Sequence, residues 1–178
     1  MPPSVKFKTP LVISSTGSGW HFLIVDKKYE KKLGFEDKFR RVVCSMNGGT
    51  GFQCALMPWE DRFYIIVNKQ KRDEIGAIAD DMISVELVKD ESKYGLPMPD
   101  ELREVLNQDR EGDKMFHALS KGKQRSMLYF IGKIKDIDKR IHASLILIDH
   151  LRENDGNIIG NELNKEWKEG LRSFSPDF

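Results

Sequence analysis

The stretch CSMNGGTGFQC (Cys44–Cys54) decides how the first half of this chain folds. Its glycines could cradle a phosphate, and its two cysteines could hold a metal or close a disulfide. A phosphate loop needs GxxxxGK[ST] between a strand and a helix, because the lysine and the helix N-terminus hold the anion. No lysine follows here, and the segment opens into the apolar run FQCALMP rather than a helix. A dinucleotide fingerprint fails for the same reason. Asn-Gly between two alternating apolar runs predicts a hairpin turn instead, since both residues tolerate φ > 0. A symmetric loop over residues 47–51 sets Met46 against Phe52, Cys44 against Cys54 and Val42 against Leu56. All six side chains are apolar and share one face, which favours this register over a one-residue slip. The two thiols then sit together at the base of the hairpin as buried, reduced groups.

Working outward, SVKFKTPLVI, GWHFLIV, RFYIIVN and MISVELV add strands to the two around the turn, about six in all. Pro10 marks an edge or a bulge. In MISVELV, Ile83, Val85 and Leu87 face one way and Ser84 and Glu86 the other. FYIIV is apolar on both faces, so it belongs in a central strand or under a covering element. Asp26 and Asn68 can cap two short helices that Gly34 and Gly76 end. Six short sequential strands favour a closed or nearly closed barrel.

Beyond residue 90 the period changes. Pro99 and Asp100 open a helix in MPDELREVLNQ, and DKMFHALS is a second. KGKQRSMLYFIGKIK is a third, with Met127, Phe130, Ile131 and Ile134 on one stripe. In DIDKRIHASLILIDHLREN, Ile137, Ile141, Leu145 and Ile148 repeat every three or four residues, with Asp136 or Asp138 as cap. NELNKEWKEGLRSF is a marginal final helix. The fold class is α+β, mainly β: a six-stranded barrel over 1–92, a helical segment over 93–155, and a tail or helix over 156–178.

Apolar residues make up 39% and charged residues 32% of the 178, a globular balance rather than a disordered one. No apolar run approaches the roughly 20 residues that span a bilayer. The MPPSVKFK start has no secretory signal, which predicts a cytoplasmic protein. The net charge is +1, yet residues 113–142 carry 8 basic and 3 acidic groups. Acidic stretches flank this segment on both sides, and such asymmetry can mark a binding face.

Dedicated chemistry is sparse. CxxC, HExxH and GxSxG are absent, so no metal site, cofactor or nucleophile is assigned. The four histidines are scattered and read as surface or core residues; His142 and His150 are offset by about 80° on their helix. Asp80-Asp81 and Glu60-Asp61 fall in turns, where backbone chemistry alone favours acids. The basic residues are the best signal. Lys69 and Arg72, Lys123 and Arg125, and Lys133 and Arg140 lie near helix starts, where a cation opposes the helix dipole unless it meets an anion. Trp20, Trp59 and Tyr64 could stack on a ligand, though core or rim packing is the simpler reading.

The ordered motifs carry a resemblance. RVVCSMNG, LMP after it, and VNKQKR before the closing strand resemble a bacterial and archaeal domain of unknown function, described as a double-split β-barrel related to AbrB-type regulators. FHALSKGKQRSMLYFIGKIKDIDKRI is similar to the YdeI/OmpD-associated, bacteriocin-protection family. The resemblance covers about residues 5–152. Where the first family commonly has Gly-Asp before the last strand, this chain has Ala79-Asp80. The resemblance implies a barrel topology, no established enzymatic activity, and a link to stress or antimicrobial-peptide resistance.

Together these readings predict a non-enzymatic binding module that takes a small anion or peptide. The alternatives are a nucleic-acid binder, which the near-neutral charge argues against, and an enzyme whose groups converge only in three dimensions. Oligomeric state is not legible.

Overall fold

Alternating apolar residues build seven strands in the first part of the computed structural model, which describes residues 1–173. They are β1 (Ser4–Ile13), β2 (His21–Asp26), β3 (Arg41–Met46), β4 (Phe52–Ala55), β5 (Met57–Trp59), β6 (Arg62–Ile66) and β7 (Met82–Lys89). Helices α1 (Lys28–Leu33) and α2 (Lys69–Ile75) interrupt them. Every pairing is antiparallel, in the order β4-β3-β7-β1-β2-β6-β5. β1 divides itself between partners: Ser4–Pro10 pairs with β7 and Leu11–Ile13 with β2. Pro10 therefore sits where the strand changes neighbours, a place that tolerates its missing N–H. The two outermost strands, β4 and β5, are separated in sequence only by Leu56. The chain itself joins the sheet's two edges into a nearly closed barrel. The count is seven rather than six because Leu56 breaks FQCALMP in two. Its side chain is buried, and its N–H donates to the Arg40 carbonyl at 3.0 Å instead of a ladder partner.

The opening hairpin forms, with a different register from the symmetric one. Asn47 (φ 50°) and Gly48 (φ 74°) make a two-residue turn, and the Gly49 N–H donates to the Met46 carbonyl at 2.8 Å. Cys44 opposes Phe52 and Val42 opposes Cys54. From turn to ladder β4 spends one more residue than β3, so the tight turn is followed by a bulge. The shift from the symmetric register is even, so every side chain keeps its face and the cysteines still share one. Gly51 is obligatory in this bulge: a Cβ there would lie 2.7 Å from Val43 Cγ1. Asn47 also accepts at Oδ1 from the Ser84 N–H (2.9 Å) and donates its own N–H to the Ser84 carbonyl (2.8 Å). Asparagine thus supplies both the left-handed backbone and a tie to β7.

The barrel interior holds Leu11, Leu23, Val42, Cys44, Leu56 and Ile65, with Ile83, Val85 and Leu87 alternating inward from β7. Burial of this kind contributes about 25 cal/mol per Å² of apolar surface. α1 inserts Leu33 and stacks Tyr29 on Phe7 at 4.8 Å. Its N-cap is Lys27, without a side-chain cap; Asp26, one residue earlier, accepts from the Lys28 N–H at 2.8 Å. Asn68 caps α2 (Lys71 N–H, 2.9 Å), and left-handed Gly34 and Gly76 end the two helices.

From Leu96 onward lies a second unit, all helical: α3 (Asp100–Gln108), α4 (Arg110–Ala118), α5 (Lys121–Lys133), α6 (Ile137–Glu153) and α7 (Gly160–Ser173). α3, α4, α5 and α7 all pack on α6. Asp109, Ser120 and Asp136 cap α4, α5 and α6. The repeat that predicts α6 is not its core face. Ile137, Ile141 and Leu145 are 59%, 39% and 46% exposed, and of that repeat only Ile148 is buried. The buried face runs through Ala143, Ser144, Leu147 and Leu151. Small residues there let neighbours come close, and Trp167 of α7 donates Nε1–H to the Ala143 carbonyl at 3.0 Å. Trp167 also stacks on Phe130 of α5, with centroids 3.8 Å apart and planes 8° from parallel. On α5, Met127 and Ile131 are buried as expected, while Gln124 and Leu128 complete the face. Gly112 allows α4 to meet α6, since a Cβ would lie 2.7 Å from Ile148 Cγ2. The final predicted helix forms and buries Leu163 and Trp167. Its expected last residue, Phe174, and the rest of the tail to Phe178 lie outside the described residues.

Candidate functional site

The six basic residues singled out from the sequence fall at three places. Lys69 and Arg72 are on α2 of the barrel unit. Lys69 pairs with Asp73, one turn on, at the surface. Arg72 is half-buried and donates to His21 Nδ1, tying α2 to β2. Lys123 is exposed at the start of α5, and Arg125 is half-buried half a turn further. Lys133 is at the other end of α5, roughly 15 Å from Lys123 at 1.5 Å rise per residue. Lys133 sits in the last turn, where the helix dipole favours a cation. Arg140 is in the first turn of α6.

Lys133 and Arg140 line one cleft within the helical unit, with a volume of about 440 Å³. Leu96, Pro97, Met98 and Pro99 form one wall, and Leu128, Tyr129 and Gly132 another. Each wall follows from its sequence. Two prolines in LPMP hold the approach to α3 extended, and Pro99 ends it as the residue before the helix. Tyr129 and Lys133 are four residues apart on α5, which places them on one face. The Lys133 ammonium lies 5.0 Å from the Tyr129 ring centroid, and Tyr129 is 59% exposed.

Charges in the cleft are mostly engaged. Arg140 donates to Glu101 Oε1 at 2.8 Å and to the Ile134 carbonyl at 3.0 Å. Its guanidinium holds the Glu101 carboxyl below the usual carboxylate range. Asp100 accepts from Arg103 at 2.9 Å. Lys133 has no acidic partner among the described residues. The Nε–H of Arg140 is buried and has no acceptor there either. The cleft thus offers one ammonium with no acidic partner among the described residues, beside an apolar, aromatic wall.

Tyr129 and Glu101 are the cleft residues that the sequence reading missed. The signal was present in each case: an aromatic residue four before a lysine on a predicted helix, and an acid two residues after the proline that starts another.

The other chemical candidates resolve into structure. His150 is fully buried, donates from Nδ1 to Glu166 at 2.9 Å and accepts at Nε2 from the Ile159 N–H at 3.1 Å. Both ring nitrogens are spent on holding the α6–α7 connection. Glu60 and Asp80 occupy turns with positive φ, 50° and 72°. The left-handed residue before β7 is thus Asp80 itself. Cys44 and Cys54 are unlinked. The neighbouring Cys44 thiol, reinforced by enclosure, pushes the Cys54 thiol well above its ordinary value. Trp20 and Trp59 are about half exposed, so neither is a core residue. No helix among the described residues is long and apolar enough to cross a membrane.

A nearly closed antiparallel barrel followed by helices packed on a central α6 defines an α+β protein of two units. Residues 7–87 match the family model described as a domain of unknown function, DUF1905. Residues 96–154 match the family described as "Bacteriocin-protection, YdeI or OmpD-Associated". The chain is a fusion of these two domain families, each match lying within one structural unit. No curated protein matches it.

Proposed function

We propose that this chain is a non-enzymatic binding module whose helical unit captures the C-terminal end of a peptide. The carrying observation is that Lys133, which has no acidic partner among the described residues, lines a 440 Å³ cleft with an apolar wall of proline, leucine and tyrosine. A terminal carboxylate matches the single ammonium, and the last apolar side chain matches Tyr129, Leu128 and Pro97. Glu101 and Asp100 are occupied by arginines, which suits them to shaping the cleft rather than to proton transfer. Lys69, Arg72, Lys123 and Arg125 take no part in this reading, which keeps two of the six sequence candidates. A peptide ligand accords with the bacteriocin-protection description of the matched family. The setting we propose is the cytoplasm, because two adjacent unlinked thiols suit a reducing compartment.

Amide chemical-shift mapping on the full chain tests the assignment. Titration with N-acetyl-Ala-Leu-Phe carrying a free carboxylate is expected to move resonances of residues 96–101 and 128–140. Absence of saturable shifts in those segments at millimolar peptide, or shifts confined to other segments, would refute it.

A further inference from the structure

We infer that the barrel unit carries a second ligand site, on its outer surface, for a neutral planar aromatic molecule. The inference is independent of the peptide cleft, since it concerns the other unit. It begins from FYIIV, whose two apolar faces called for a central strand or a covering element. β6 lies between β2 and β5, with Phe63 and Ile65 turned into the core. By alternation Tyr64 and Ile66 turn outward, opposite Ile24 and Phe22 of β2. Met57 and Trp59 of β5 join them on the same side. In a small barrel this outward face is ordinarily polar. Here no helix of the unit covers it: α1 packs on β1, and Ile66 and Trp59 remain 39% and 50% exposed.

The face is concave. Phe22, Ile24, Trp59 and Tyr64, with Ser14 and Ser15 at one end, enclose about 340 Å³. That volume is at the low end of the roughly 300–1,000 Å³ of small-molecule sites and suits one or two fused rings. Phe22 and Tyr64 meet edge to face at 5.4 Å and 79°, which fixes the Tyr64 ring as a preformed wall. No lining side chain carries a charge. An ionised ligand would lose hydration there without a counter-charge, so a neutral one is preferred. The Tyr64 hydroxyl has no hydrogen-bond partner among the described residues, leaving it available to the polar edge of a ring.

Three probes of similar size, titrated against the full-length protein and followed by amide shifts, test the site. They are indole, benzoate and phenyltrimethylammonium. Indole is expected to saturate with a Kd of about 1 mM or below, and the two charged rings to bind at least tenfold more weakly. Trp59→Ala should abolish the indole response, and Tyr64→Phe should weaken it severalfold. Trp59 is half exposed on a three-residue edge strand, so its loss should leave the circular dichroism spectrum unchanged; Trp59→Leu is the second variant if it does not. No saturation by indole, equal binding of either charged probe, or indole binding that survives both Trp59 variants would overturn the site. A concentration-dependent dimer that Trp59→Ala dissolves would also overturn it, assigning the face to a second copy of the chain.

Discussion

Asn47 shows how much one residue can decide. Its left-handed backbone opens the β3–β4 turn, and its side chain binds the end of β7. Asn47→Gly keeps the conformation and loses the side-chain hydrogen bond, so urea denaturation should show a loss of about 1 kcal/mol. Asn47→Ala loses both, and about 2 kcal/mol is expected. Equal losses would mean that the backbone conformation carries no cost here. His150 is a second single-residue hinge of the fold. His150→Leu would leave the Ile159 N–H and the Glu166 carboxylate without their partner, at an expected cost of about 2–3 kcal/mol. The presence of both groups was legible in the sequence, but not their partners. An Asn-Gly pair announces a turn from local chemistry alone, whereas the histidine's partners come from positions 159 and 166 and exist only after α7 has folded back. The Cys54 thiol, held well above its ordinary pKa by Cys44, should react with a disulfide reagent at pH 8 at least tenfold more slowly folded than in urea. Equal rates would contradict the raised thiol pKa.

Among elements, α6 organises the helical unit, and two depressed carboxylates tie neighbours to it. Glu101 of α3 is held down by Arg140. Asp109, the cap of α4, is held down first by the Gly112 N–H and then by Arg152. Both folded-state values lie below the unfolded ones, so each contributes stability that is fully present above the unfolded carboxylate pKa of about 4. That contribution is lost as pH falls from there through the depressed values. The melting temperature of the chain should therefore drop below about pH 4, and the drop should be smaller in Arg140→Ala, which has already lost the Glu101 part. Equal slopes in both proteins would contradict the pairing. Element existence was readable because caps and periodicity are local: Asn68, Asp136, Gly34 and Gly76 all act where the sequence put them. Register and buried face were not. The β3–β4 register depended on a bulge that only the crowding of Gly51 against Val43 reveals. The α6 face depended on Trp167 seeking Ala143 rather than on the larger apolar residues of the same helix.

On the scale of the whole molecule, an antiparallel barrel and an α6-centred helical unit each carry an uncovered concavity of distinct chemistry. One has an ammonium without an acidic partner among the described residues beside an apolar wall, and the other has aromatic rings and no charge. Binary patterning led to the barrel, and the change of period near residue 90 led to the helices. The six basic residues were chosen for proximity to helix starts, which says nothing about which of them neighbour an acid. That is why Lys133 emerges from the set only with coordinates: its neighbours Glu101 and Asp100 are already taken by Arg140 and Arg103. The measurement that bears most directly on the peptide-end reading is a calorimetric titration of the full chain with N-acetyl-Ala-Leu-Phe as free acid and as amide. A charge-assisted contact to Lys133 contributes on the order of 1.5 kcal/mol or more, about tenfold in affinity. The free acid should bind at least tenfold more tightly than the amide, and Lys133→Ala should erase the difference. Equal affinities for acid and amide, or a preference that persists without Lys133, would contradict it.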